Sequence, residues 1–568
     1  MDEKLRLDIN PGNKDFTNAA VVIIGAGISG MCMAIDLIKR NKCHNFVILE
    51  KSSRVGGTWR DNKYPGCCCD VTSILYSYSF EQSTKWSRQF PGQEELLAYL
   101  THVAEKYGLY EYIRFNSEVT EARWSEEEKK WKVSTKVSGD KDNQFTRSYV
   151  LSTDFLISAV GQLNFPREPD IPGLKDFRGK MMHSARWDWT YNYENKRIAI
   201  IGNGATAAQI VPEVAKVASH LTVYQRTPNW VIPRTDTAIS PLEQVLLTYL
   251  PPLRIRKRSL AMDFRESFHE VIRDSQSQTA QLAREITAQR LRTQLANKRE
   301  LWDKLTPKYA PGCKRLIITD DYYPALSREN VDLETRRILR ITETGIAVEG
   351  DSQQEYDLII LATGFKTVEF MCPIEIHGSK GRPLAEIWKD GASAYYGVTV
   401  EDLPNFVTVL WTEHKPRSII LMIEAQSRYL NALVARVLQA RTQGKTLVIK
   451  PTVRALQKYN IELQKALARS SFADANCSSW YKTENGKITN NWSGTVIDYQ
   501  RSLSQVRWAD YEVEGTAKDG VRPGEVTNLG RVHEETYISN RSLALTIAGM
   551  LAVAGGVFLR WTILVRAR

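Results

Sequence analysis

Nowhere in the 568 residues is there a CxxC pair or a Cys/His string at metal-ligand spacing. The eight cysteines stand at 32, 43, 67, 68, 69, 313, 372 and 477. That pattern argues against structural zinc, and no metal is expected. Adjacent thiols are poor disulfide partners, so the chain reads as reduced and cytosol-facing. The opening "MDEKLRLDINPGNKDF" has no apolar core, which excludes a signal peptide there. Lys and Arg exceed Asp and Glu by 76 to 65, a net charge of +11. The excess is scattered and carries no basic-aromatic module, which argues against nucleic acid as a partner. Its one local cluster, Arg254, Arg256, Lys257 and Arg258, reads as a solvated helix face. Glycine is missing from 240 to 304, a stretch rich in Arg, Leu, Gln and Ala that reads as inserted helices.

The chain is too long for one core and implies two or three domains. "AAVVIIGAGISGMCMAIDLIKR" reads as a buried strand, a tight turn and a helix, with "NFVILE" as the next strand. This βαβ unit opens a Rossmann-type domain. Gly25 permits the turn, Gly27 admits a pyrophosphate, and Gly30 lets helix and strand approach. Glu50 ends the second strand, where a carboxylate can accept from ribose hydroxyls. A second unit, "KRIAIIGNGATAAQIVPEVAK" followed by "HLTVYQRTP", carries Gly202 and Gly204. Arg226, next to Thr227, stands where an acid would select NAD, and a guanidinium there suits a 2′-phosphate. Thr206 and Gln209, at the start of that helix, are within reach of the nicotinamide nucleotide. The first site is assigned to FAD and the second to NADPH, and two such sites imply hydride transfer between cofactors.

The fold class expected is α/β, with two Rossmann-like domains, a helical insertion and a C-terminal apolar helix. The FAD-binding domain is drawn from 1–165 and 369–540, and the NADPH-binding domain from 166–238 and 305–368. The insertion is 239–304 and the tail 541–568. "LALTIAGMLAVAGGVFL", Leu543 to Leu559, is 17 apolar residues. Extended to Val565, with Arg560 snorkelling, it is expected to anchor the chain in a membrane by a single pass. The catalytic body would then face the cytosol, at the endoplasmic reticulum for instance.

Between the two glycine loops lies "FRGKMMHSARWDW". Phe177, Gly179, His183, Trp187 and Asp188 match the pattern Phe-x-Gly-x-x-x-His-x-x-x-Trp-(Pro/Asp). On these residues the chain resembles the type I Baeyer–Villiger monooxygenases, of the kind found in fungal secondary metabolism. "RVGGTWRDNKYPGCCCDVTSILYSYSF" and "GCKRLI" are similar to the family's flavin-facing and active-site segments. The resemblance implies that Thr58, Trp59, Asp70 and Tyr76 contact FAD, that Lys314 holds the NADPH phosphate and that Arg315 is catalytic. It also implies oxygen insertion beside a ketone carbonyl through a flavin C4a-peroxide. Arg315 would stabilise the peroxide anion, with Asp70 holding the arginine in place. His183 reads as a structural or hinge residue. Cys67 and Cys68 depart from the family's Ala-Arg, and the segment 407–418 departs from its Gly-Pro-rich turn. The partners expected are O₂ and a bulky apolar ketone, with no obligatory protein partner. Two other readings stay open: an N- or S-oxygenating flavin monooxygenase, and a membrane-tethered flavoprotein without catalysis.

Overall fold

The computed structural model describes residues 16–139, 147–350, 352–409, 419–522, 524–545, 548–549, 552–553 and 555–556. Two sheets organise it. The first has the strand Asn18–Ile24 near its centre, paired in parallel with Phe46–Leu49 on one side and Ser148–Ser158 on the other. Val21 to Ile24 are buried on both faces, which is why this stretch reads as an unbroken apolar run. Two antiparallel strands, Ser117–Ser125 and Lys130–Val137, extend the sheet. Phe406–Thr408 pairs with Ser148–Ser158, so the C-terminal half returns to this sheet.

The second sheet is wholly parallel. Its order is Val331–Glu334, His220–Tyr224, Arg197–Ile201, Leu358–Leu361 and Lys180–His183. Each sheet carries a helix directly after its glycine turn, Ile28–Asn41 and Ala205–Val214. The long helix Ile419–Thr442 packs against the first of these. Polar bonds fix that register: Ser427 donates to Asp36 at 2.8 Å in the interior, and Asn41 to Asn431 at 3.0 Å at its margin.

The glycine-free stretch forms the helices Pro241–Tyr249, Pro251–Ser267, His269–Arg273 and Gln278–Gln294. Its basic cluster corrects the sequence reading. Arg258 is 3% exposed and paired with the equally buried Glu534 at 2.6 Å. The same helix turns Leu253, Ile255, Leu260 and Phe264 outward.

Two further expectations are overturned. Cys313 and Cys477 form a disulfide, so the chain is not read as fully reduced. They lie 164 residues apart with no motif to flag them, and meet because the loop at 310–313 packs on 472–477. Among the described residues no helix is long and apolar enough to cross a membrane. The expected C-terminal span is therefore withdrawn, and with it the membrane partner and the anchored location. Seventeen helical residues rise only about 26 Å, short of a hydrocarbon core of about 30 Å. Residues 557–568, on which the longer span relied, lie outside the described residues.

Candidate active site

A cleft opens between the C-terminal edge of the first sheet and the helix Ala205–Val214 of the second. It encloses ≈ 2200 Å³, including space open to solvent. Gly25, Gly27, Glu50, Thr58, Trp59, Asp70, Tyr76, Thr206, Gln209 and Arg315 all line it.

Gly25 has φ +104°, and a Cβ there would lie 2.7 Å from the Ala159 carbonyl oxygen. At Gly30, which lies behind the cleft wall, a Cβ would meet the Gly25 oxygen at 1.9 Å. Gly27 and Gly57 face one another across bare backbone, and a Cβ on Gly57 would lie 3.0 Å from the Gly27 Cα. This cradle, at the start of the helix Ile28–Asn41, fits a pyrophosphate. Glu50 is buried, and its two oxygens accept the backbone N–H groups of Ala26 and Ser52, both at 2.8 Å. Burial raises its proton affinity, and those N–H groups oppose the rise. The carboxylate thus braces the glycine turn as well as lining the cleft.

Further along, Trp59 donates its indole N–H to the Tyr76 hydroxyl at 3.0 Å, and the two rings meet edge to face. Burial pushes the Tyr76 hydroxyl far above its ordinary pKa. Arg315 donates from Nε and Nη2 to Asp70 Oδ2 at 2.8 and 2.5 Å. Its side chain is 30% exposed and that of Asp70 18%. The pair joins residues 245 positions apart at the wall of the cleft.

The second nucleotide loop is more open. Gly202 has φ +113°, and a Cβ there would lie 2.5 Å from the Ala362 carbonyl oxygen, whereas Gly204 has nothing within 4 Å. Gly202, Gly204, Arg226, Thr227 and Lys314 do not line the main cleft. Three of them form a separate group at the strand end. Lys314 Nζ donates to Thr227 Oγ1 at 2.6 Å. Burial pushes Lys314 down to about 8, and neighbouring Arg226 acts in the same direction. Two cations repelling at a half-buried position fit a phosphate dianion between them. Gln209 is committed elsewhere: it donates to the Cys68 carbonyl at 3.0 Å and accepts from Tyr64 at 2.9 Å. It ties the second sheet's helix to the segment that carries Tyr64 and Cys68.

The string 177–189 is architecture. Lys180–His183 is the edge strand of the second sheet. His183 accepts the Ala185 N–H through Nδ1, and burial pushes it down to about 4. Trp187 packs on Trp189 and Tyr193, and Asp188 pairs with Lys180. At Gly179 a Cβ would strike the Phe177 ring at 2.5 Å. None of these residues lines the cleft.

Sequence reasoning missed two arginines beside the site. Arg234 donates to Cys68 Sγ at 2.9 Å, so a guanidinium arrives from a distant segment at one of the two cysteines where the family has Ala-Arg. Arg265 donates to the Asp70 carbonyl at 2.7 Å. Neither is marked by spacing. The segment 410–418 lies outside the described residues.

Residues 18–375 match the model of a family described as flavin-binding monooxygenase-like. A FAD-binding monooxygenase, ktnD, of Aspergillus niger is 53% identical over 97% of this chain and 90% of its own length. A Baeyer-Villiger monooxygenase of Streptomyces coelicolor is 38% identical, covering 87% of this chain and 92% of its own. Among solved structures, OTEMO in complex with FAD and NADP superposes with a TM-score of 0.76 at 26% identity, over 87% of this chain and 99% of that one.

Proposed function

The chain belongs to the flavin-binding monooxygenase-like family, and from that premise we propose that it is a Baeyer–Villiger monooxygenase. It uses FAD and NADPH to insert one oxygen atom of O₂ beside a ketone carbonyl, giving an ester or lactone. The observation that carries this reading is the Arg315–Asp70 pair in the wall of the cleft. A guanidinium keeps its charge at every working pH. Asp70 fixes its plane through two bonds, a geometry a lysine cannot reproduce.

Bound FAD, once reduced by NADPH, supplies activated dioxygen. The protein's part is to bind, orient and stabilise charge. The Gly27–Gly57 cradle and the helix behind it hold the pyrophosphate, and Trp59 and Tyr76 wall the inner end of the cleft. Arg226, Thr227 and Lys314 hold the 2′-phosphate. Arg315 offers a fixed cation to negative charge developing on the oxidant and then on the former carbonyl oxygen. Removing one such stabiliser costs about 10²–10³ in rate.

Membership of the two sheets supports dividing the chain into an FAD-binding part (1–165, 369–540) and an NADPH-binding part (166–238, 305–368). The cleft wall also includes Phe370, Met371, Ile419 and Ile423, which supports a bulky apolar ketone as substrate. The test is product analysis of the FAD-loaded enzyme with NADPH and ¹⁸O₂. A panel of cyclic and polycyclic ketones is expected to give labelled esters or lactones. N-oxides or sulfoxides from amines and thioethers, with no ester from any ketone, would overturn the reading.

A further inference from the structure

The insertion helix Pro251–Ser267 is inside out. Its inward stripe is Arg258, Ser259, Met262 and Arg265, while Leu253, Leu260 and Phe264 face outward. Burying a guanidinium costs several kcal/mol of solvation unless it is well bonded. A leucine on that stripe would stabilise the packing as well or better. Arginines held there need a reason other than stability.

Arg258 spends its charge on Glu534 and on the Ser77 carbonyl. Arg265 points elsewhere. It is 5% exposed, and its Nη2 donates to the Asp70 carbonyl oxygen at 2.7 Å. Asp70 is thereby held twice, by Arg265 on its backbone and by Arg315 on its carboxylate. Arg315 lines the cleft and Arg265 does not. Burial holds Arg265 below the ordinary guanidinium range. Asp70 and Cys69 oppose that, and Arg315 adds to it, so the two guanidinium groups feel each other across the same acid.

We propose that Arg265 is a positioning residue for oxygen transfer: it anchors the Asp70 backbone from the insertion helix, and through Asp70 sets where Arg315 presents its charge to the cleft. The inference rests on the function proposed above. It gives the insertion a chemical task, that of a brace reaching to Asp70 of the first nucleotide unit, the acid on which Arg315 of the second is held. A buried donor that bonds the Asp70 carbonyl from this helix does what a leucine cannot do at that place.

The test uses FAD-loaded Arg265→Met, Arg265→Gln and Arg265→Lys enzymes. Flavin content and the rate of flavin reduction by NADPH are expected to stay within about twofold of wild type, because Arg265 itself does not line the cleft. Coupling, the ester formed per NADPH consumed, is expected to fall about tenfold in the Met and Gln variants, with hydrogen peroxide making up the balance. The Lys variant, which restores charge and a donor, is expected to recover to within about threefold. A crystal structure of a neutral variant is expected to show the Arg315–Asp70 bonds lengthened or exchanged. A neutral variant that holds flavin, couples as wild type and keeps the pair geometry overturns the proposal. So does a parallel fall of flavin content, reduction rate and coupling in both neutral variants, which marks a merely structural residue. If wild type forms no ester from any ketone, the function fails. The crystal structures then still decide whether Arg265 positions the pair.

Discussion

The two glycine turns share a spacing and differ in nearly everything around it. At the first, Gly30 is buried and Glu50, 6% exposed, spends its carboxylate on the turn's own N–H groups. At the second, Gly204 and Arg226 are exposed, and Lys314 sits half-buried beside them. The first turn is closed and braced, suited to a cofactor that stays. The second is open and cationic, suited to one that enters by charge and leaves after giving up its hydride.

The sharpest way to break the comparison is to add one methyl group where each turn differs most: at Gly30, whose counterpart in the second turn is already the buried Ala207, and at Gly204, the counterpart of Gly27. Gly30→Ala sets a Cβ against the Gly25 carbonyl oxygen. The expected cost lies at or beyond the upper end of the ~1–3 kcal/mol seen for overpacked sites, with FAD lost on purification. Gly204→Ala meets nothing within 4 Å. It is expected to purify yellow and to raise KM for NADPH alone. Equal flavin content in the two variants would erase the distinction.

Next in size is Arg226→Ala. A charged hydrogen bond to phosphate contributes about 1.5–3 kcal/mol, so the preference for NADPH over NADH is expected to shrink about tenfold to a hundredfold. Steady-state kinetics with both nicotinamides read it directly. An equal loss with each would make Arg226 structural.

A smaller effect comes from pH. Lys314, pushed down to about 8, loses its proton as pH rises through that value. In the role proposed for it, its attraction for a 2′-phosphate is present below pH 8 and fades above it. KM for NADPH is expected to rise about tenfold between pH 7 and pH 9 as the charged fraction falls. KM for NADH is expected to stay flat, and Lys314→Met is expected to abolish the difference in slope.

The smallest effect tests the string that most strongly suggested the family. Asp188→Asn removes a partly exposed pair with Lys180 away from the cleft. Exposed pairs contribute little, and kcat and KM are expected to change less than twofold.

Both nucleotide turns were legible in the sequence because a buried parallel strand, a glycine turn and a helix leave one continuous local signature. Asp70 and Arg315 became legible only through resemblance, since a contact across 245 residues leaves no period to read. Arg265, the Gln209 bridge to Cys68 and the Cys313–Cys477 link were not legible at all, for the same reason. Two signals misled. A cluster of arginines usually faces water, yet Arg258 is sealed against Glu534. A 17-residue apolar run suggests a bilayer, yet among the described residues no helix is long and apolar enough to cross one.

The inverted insertion helix has a consequence for how this enzyme can be recombined. Its inward arginines are addressed to acceptors that lie outside it in sequence, Asp70 on one side and Glu534 on the other. The stretch 241–305 is therefore not an interchangeable module, although it looks like one on paper. A chimera that exchanges it must keep an acid at 534 opposite an arginine at 258, and keep the backbone course at 70 that offers its carbonyl to Arg265, or it leaves a buried charge without its partner. Crossover points chosen at loop boundaries alone are expected to give misfolded libraries. Points chosen to keep these three segments together are expected to give folded ones.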